Sequence, residues 1–216
     1  MRINHTFKIV IACVGIFLAQ LFFRSAQFSN EHGLGLIEAN FALVQSDVLI
    51  KPWMFVSAMF LHGDVGHLIF NMISLAIFGS ILEHVVGRRN FLIVFFSTGI
   101  LANLLSAPYY EVALGASGAV LGILGALTML RPHLTIYVYF FPMPLWVAAI
   151  LYALIDVFGI FYPSGVGNIA HLVGLAGGLA LGYKFKKRFG ERRPSYEPIN
   201  INSAVMDDWE DKYMRR

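Results

Sequence analysis

Residues 65–86 read VGHLIFNMISLAIFGSILEHVV, and after the short link GRRN residues 91–107 read FLIVFFSTGILANLLSA. Both blocks are close to the ~20 residues an α-helix needs to cross a hydrocarbon core about 30 Å thick. Arg88 and Arg89 in the link are costly in lipid, so the two blocks form a membrane-crossing hairpin that turns back at one interface. The rest of the chain repeats the pattern. Its 216 residues are 57% hydrophobic and only 13% charged, with a mean hydropathy of +0.67, more apolar surface than a soluble core takes up. Only helices and closed barrels satisfy their backbone hydrogen bonds in lipid, and the short alternating segments of barrel strands are missing.

Further apolar blocks at 7–23, 116–130, 143–162 and 168–183 raise the expected number of spans to six, an all-α membrane fold. In the long connection at 24–64, Leu36, Ile37, Phe41, Val44, Val48 and Leu49 predict pieces partly embedded in the outer interface. A single membrane domain, 1–190, is expected, followed by a cytosolic tail, 191–216, that reads as a solvated extension. Arg2 and Lys8 before an apolar core that ends ahead of Ser25-Ala26 have the layout of a cleaved signal peptide. Phe23-Arg24 departs from small-x-small, so 7–23 is read as a retained span.

Orientation follows from the cations. With the N-terminus inside, eleven Lys and Arg fall on the cytoplasmic side (Arg2, Lys8, Arg88, Arg89, Arg131, Lys184, Lys186, Lys187, Arg188, Arg192, Arg193) against two outside, Arg24 and Lys51. Both termini are therefore expected in the cytoplasm of a multi-pass protein, with a prokaryotic cell membrane as the expected site. The net charge of +3 comes mainly from the run after the last block and suits anionic lipid; no basic face with interleaved aromatics accompanies it, so a nucleic-acid partner is excluded. Cys13 is the one cysteine, which rules out a disulfide framework or a thiol-rich metal site. His62, Asp64 and His67 lack the His-Glu-x-x-His spacing of a zinc peptidase, and neither metal nor cofactor is expected.

Polar groups inside spans cost about 2.5 to 3.5 kcal/mol for a charge at the helix centre on insertion scales, so each calls for a reason. They are His67, Asn71, Glu83, Asn103, Ser117, Asp156 and His171. Counting at 1.5 Å per residue puts Ser117 about 20 Å and His171 about 18 Å above the inner edge, with Asn71 and His67 at about 24 and 30 Å. A hydroxyl and an imidazole thus share a depth, with two further hydrogen-bonding groups above them on one helix face. Gly118, Gly122 and Gly125 beside Ser117, and Gly167, Gly174, Gly178 and Gly182 around His171, form the small-residue stripes that let helices touch in lipid. Each residue also has a plainer reading. A serine in Gly-Ala-Ser-Gly is commonly a packing residue, Asn103 a simple interhelical hydrogen bond, and Glu83 and Asp156 structural anchors near the ends of their spans, Glu83 within reach of Arg88 or Arg89.

Three motifs within 53–183 change that balance. His62-Gly-Asp-Val-Gly-His67-Leu-Ile-Phe-Asn71 with Glu83 beyond it, Gly115-Ala-Ser117-Gly118, and Gly167-Asn-Ile-Ala-His171-Leu-Val-Gly174 resemble, in order and spacing, the signatures of the rhomboid intramembrane proteases. The resemblance implies a six-helix bundle with a partly embedded first outer loop and a serine endopeptidase that works by a dyad with no acidic third member. It implies Ser117 as nucleophile, His171 as general base, and His67, Asn71 and the Ser117 N–H as the oxyanion hole. The implied substrates are single-pass transmembrane proteins, cut near the outer face; a stable helix hides its peptide bonds, so the segment must unwind there. Two positions depart from the family pattern: Met54 follows Trp53 where members often carry arginine, and Leu121 stands where many have an aromatic against the histidine. Water must reach the site, so 111–116 is expected to be a non-helical loop dipping into the membrane beside a cavity open to the outside. The rivals are a catalytically inactive rhomboid-like binder of membrane proteins, against which the intact Ser117 and His171 argue, and a transporter, which would call for paired interrupted helices.

Overall fold

A computed structural model describes residues 4–24, 34–138, 141–162 and 165–190, with Lys212 and Met214. Arg2, Ser25-Ala26, Glu31 and nearly all of the tail at 191–216 lie outside the described residues.

The hairpin read from 65–107 forms through two local devices. Asp64 caps the first helix, α4 (Val65–Ser74), its side chain accepting from the His67 N–H at 2.9 Å. The helix continues through a π-helical turn, Leu75–Gly79, into α5 (Ser80–Val86). Gly87 then turns the chain at φ 79°, a conformation that L side chains adopt poorly, and α6 (Arg88–Ser106) begins at the next residue. Together with α1 (His5–Arg24) these are the helices long and apolar enough to cross a membrane: His5–Phe23, Val65–Val86 and Arg88–Tyr109.

The remaining blocks are shorter or displaced. α7 (Ser117–Leu130) has 14 residues and is buried almost all round; at 1.5 Å per residue it is about 21 Å long, short of a full crossing. The block expected from 143 starts instead as a strand. β3 (Thr135–Val138) pairs antiparallel with β4 (Phe141–Pro144), whose Pro142 and Pro144 resist helix, and α8 (Leu145–Phe161) follows. α9 (Asn168–Phe189) runs past the expected end at 183, with Lys186, Lys187 and Arg188 in its last turn, where cations suit the helix dipole.

The outer connection contains α2 (Leu36–Phe41), β1 (Leu43–Val44), α3 (Met54–Ser57) and a 3₁₀ turn, Ala58–Phe60. Leu36, Phe41 and Leu49 are exposed, whereas Val44 and Val48 bury against Leu43, Met54, Ala58 and Ala107, giving the loop a small core of its own. It is tied down twice. Buried Gln20 of α1 donates to Glu38 at 2.9 Å and to the His62 carbonyl at 3.2 Å, and accepts from the His62 N–H at 3.1 Å. β1 pairs antiparallel with β2 (Val112–Ala113), just ahead of Ser117.

The main core is built around α7, with α6 and α9 against it. A methyl group on Gly174 would collide with the Gly118 carbonyl oxygen, one on Gly178 with that of Gly122, and one on Gly125 with that of Leu175. The two glycine stripes therefore bring the α7 and α9 backbones into contact.

Candidate active site

Ser117 is the first residue of α7, so its N–H has no acceptor within the helix and lies at the positive end of the helix dipole. The preceding segment is non-helical from Glu111 to Gly115: β2 occupies Val112–Ala113, and Gly115 takes φ 129° while donating its N–H to the Ala58 carbonyl at 2.8 Å. His171 sits one turn into α9, whose start is held by the Ile169 N–H donating to the Tyr110 hydroxyl at 3.1 Å.

The backbone contact of α7 and α9 carries these two side chains together: His171 Nε2 lies 2.8 Å from Ser117 Oγ. Both are partly buried. On the other side of the ring, Nδ1 is 2.9 Å from Oδ1 of Asp156 on α8. Asp156 is only 5% exposed, and His171 is its hydrogen-bond partner among the described residues. His171 thus has an acidic neighbour that the motifs alone do not announce. Asp156 lies about 8 Å from the end of α8 and His171 about 5 Å from the start of α9, a matching depth that the same counting would have exposed.

His67 and Asn71 occupy the first turns of α4 at the same end of the bundle. Neither hydrogen-bonds Ser117 here. The His67 ring lies over Gly115: a methyl group there would be 2.7 Å from Cε1 and 2.8 Å from Nε2. The Gly63 N–H approaches His67 Nδ1 at 3.4 Å, a long hydrogen bond that favours a proton on Nε2, the nitrogen facing the Gly115 to Ser117 segment. Buried Asn71 donates one Nδ2 hydrogen to the His67 carbonyl at 2.9 Å, and the second has no partner among the described residues. His62 stacks edge-on against His67, with ring centroids 5.1 Å apart, and both its ring nitrogens are buried without a hydrogen-bond partner among the described residues. Burial, and secondarily the neighbouring His67, push the His62 imidazole down to about 4.

The other polar positions are structural. Glu83 accepts from the Thr6 N–H and hydroxyl at 2.9 and 2.8 Å and from the His5 N–H at 3.0 Å, with Arg88 3.9 Å away, and Asn103 donates to the Phe55 carbonyl at 2.9 Å. Gln20, which joins the outer loop to α1, is missing from the sequence-derived set of polar groups, although it lies inside an apolar block like the rest. No group of three or more metal-ligating side chains occurs among the described residues.

A helical membrane bundle with a serine and a histidine in hydrogen-bond contact at the N-terminal ends of two touching helices defines the class of this protein. Residues 50–188 match the Rhomboid domain, and the chain belongs to the rhomboid family; it is an integral membrane protein. It is 30% identical over 164 residues to the mitochondrial Rhomboid protein 1 of Saccharomyces cerevisiae, covering 71% of this chain and 47% of that one. It is 30% identical over 138 residues to Rhomboid protease AarA of Providencia stuartii, covering 56% and 48%, and 31% identical over 153 residues to Rhomboid protease GluP of Bacillus subtilis, covering 65% and 28%. The chain spans about half the length of the first two and less of the third.

Proposed function

We propose that this protein is an intramembrane serine endopeptidase that cleaves transmembrane segments of single-pass membrane proteins near the outer face. The observation that carries the reading is the 2.8 Å approach of His171 Nε2 to Ser117 Oγ. A serine hydroxyl is a weak nucleophile until a neutral imidazole takes its proton, help worth about 100- to 10,000-fold in rate. As Oγ bonds to the scissile carbonyl carbon, its proton moves to Nε2 and the carbonyl π pair moves to oxygen. The oxyanion meets the Ser117 N–H, His67 Nε2 and the free Asn71 N–H. When the C–N bond breaks, Nε2 returns the proton to the departing amine; water, activated by the same ring, then hydrolyses the acyl-serine.

α1, the α4 to α5 helix, α6, α7, α8 and α9 serve as six spans, with 1–190 as the membrane domain and 191–216 as a cytosolic tail. The cation count puts both termini in the cytoplasm of a prokaryotic cell. The outer loop and the short α7 open the site to water on the opposite side.

The test is cleavage of a model single-pass substrate by the full chain in detergent. Ser117→Ala and His171→Ala should each abolish it and a chelator should leave it unchanged; cleavage that survives either substitution refutes the assignment.

A further inference from the structure

We infer that Asp156 is a positioning residue for His171, so that the proton-transfer unit of this protein has three members on three successive helices rather than two; the inference rests on the serine-protease reading above. Both ring nitrogens of His171 are engaged, Nε2 with Ser117 Oγ at 2.8 Å and Nδ1 with Asp156 Oδ1 at 2.9 Å. A carboxylate only accepts hydrogen bonds, so this contact requires the proton on Nδ1. That leaves the Nε2 lone pair facing the Ser117 hydroxyl, the tautomer that general-base catalysis needs. Without the carboxylate, nothing else among the described contacts selects that tautomer.

The alternative, an anchor at the end of a span, fits the surroundings poorly. An anchor reaches for interfacial water, lipid head groups or backbone N–H groups, whereas Asp156 is 5% exposed and makes its hydrogen bond to His171. A carboxylate placed in an apolar helix is costly, and pairing with an imidazole offsets that cost. The groups facing His171 from the packed elements are Ser117 on α7, Asp156 on α8 and, farther off, His67 on α4, with the Tyr110 hydroxyl at the α9 start. Asp156 is the acid among them. When Ser117 gives up its proton, the imidazolium forms beside a negative charge already in place, and no proton passes to Asp156.

The full-length protein in detergent is compared with Asp156→Asn and Asp156→Glu for kcat and KM on a model transmembrane substrate, for labelling of Ser117 by a fluorophosphonate, and for melting temperature. Asp156→Asn should lower kcat by about 100-fold or more, since an amide at this place lets Nδ1 lose its proton. KM and melting temperature should stay near wild type. Ser117 labelling should slow in parallel and Asp156→Glu should recover part of it. A kcat within about three-fold of wild type, or a loss that comes with a lowered melting temperature and with Ser117 labelling unslowed, overturns the inference. Should Asp156→Asn not fold, NMR of isotope-labelled histidine in the wild type decides: a protonated Nδ1 in the resonance missing from His171→Ala supports the role, and a bare Nδ1 overturns it. Failure of the underlying reading looks different: Ser117→Ala and His171→Ala would then cleave normally, whereas full activity in Asp156→Asn beside two inactive variants sinks only the role of Asp156.

Discussion

Gly174→Ala places a single methyl group between the two helices that bring Ser117 and His171 together. Built on the existing backbone, the new Cβ lies 2.8 Å from the Gly118 carbonyl carbon and 3.1 Å from its Cα, and it collides with the carbonyl oxygen. Ordinary carbon contacts fall at about 3.5 to 4.0 Å, so the helices must part by about 1 Å at this level. Gly118 adjoins Ser117, and Gly174 is one turn beyond His171, so the displacement acts directly on the 2.8 Å contact. A misplacement of that size costs on the order of 100-fold in rate, and overpacking of this kind about 1 to 3 kcal/mol in stability. Gly177→Ala is the control: on the same helix its methyl group meets Leu101 and Thr98 at 3.4 and 3.5 Å, ordinary contact, and it should cleave as wild type while gaining a little helix propensity. Initial rates on a model transmembrane substrate and thermal unfolding in detergent measure both. Equal activity in the two variants would refute the claim that the glycine contact sets the separation of Ser117 and His171.

Under the proposed mechanism Asn71 is an oxyanion donor, so Asn71→Ala should lower kcat by about 100- to 1,000-fold with KM little changed; steady-state kinetics check both. Gln20→Leu deprives the His62 backbone and Glu38 of three hydrogen bonds and should destabilise by about 2 to 4 kcal/mol, measured as a fall in melting temperature. His62 ordinarily titrates at 6.5 and is held down to about 4 in the folded protein. The unfolded chain therefore takes up the proton first, so His62 leaves stability unaffected above pH 6.5 and erodes it as pH falls toward 4. Melting temperatures across that window should decline less steeply in His62→Phe than in wild type.

The hairpin at 65–107 was legible because apolar length and a Gly-Arg-Arg turn act locally. Ser117 and His171 were legible because depth along a helix is simple arithmetic and because glycines at three- and four-residue spacing announce which helices touch. The start of α8 was not, since Phe141 and Met143 are as apolar as any helix residue while Pro142 and Pro144 turn the segment into a strand. The contact of Asp156 with His171 was not legible for a different reason. The rotation of Asp156 about α8 relative to α9 depends on a turn and on the packing of both helices, which apolar blocks without strong amphipathic faces leave unspecified.

The two-residue pairing of Leu43–Val44 with Val112–Ala113 fastens the outer loop to a strip that ends four residues before Ser117. Where that loop rests is thereby coupled, along a short ribbon of backbone, to the start of α7. A substitution among 34–60 can therefore alter the surroundings of Ser117 from a distance, through main-chain hydrogen bonds alone.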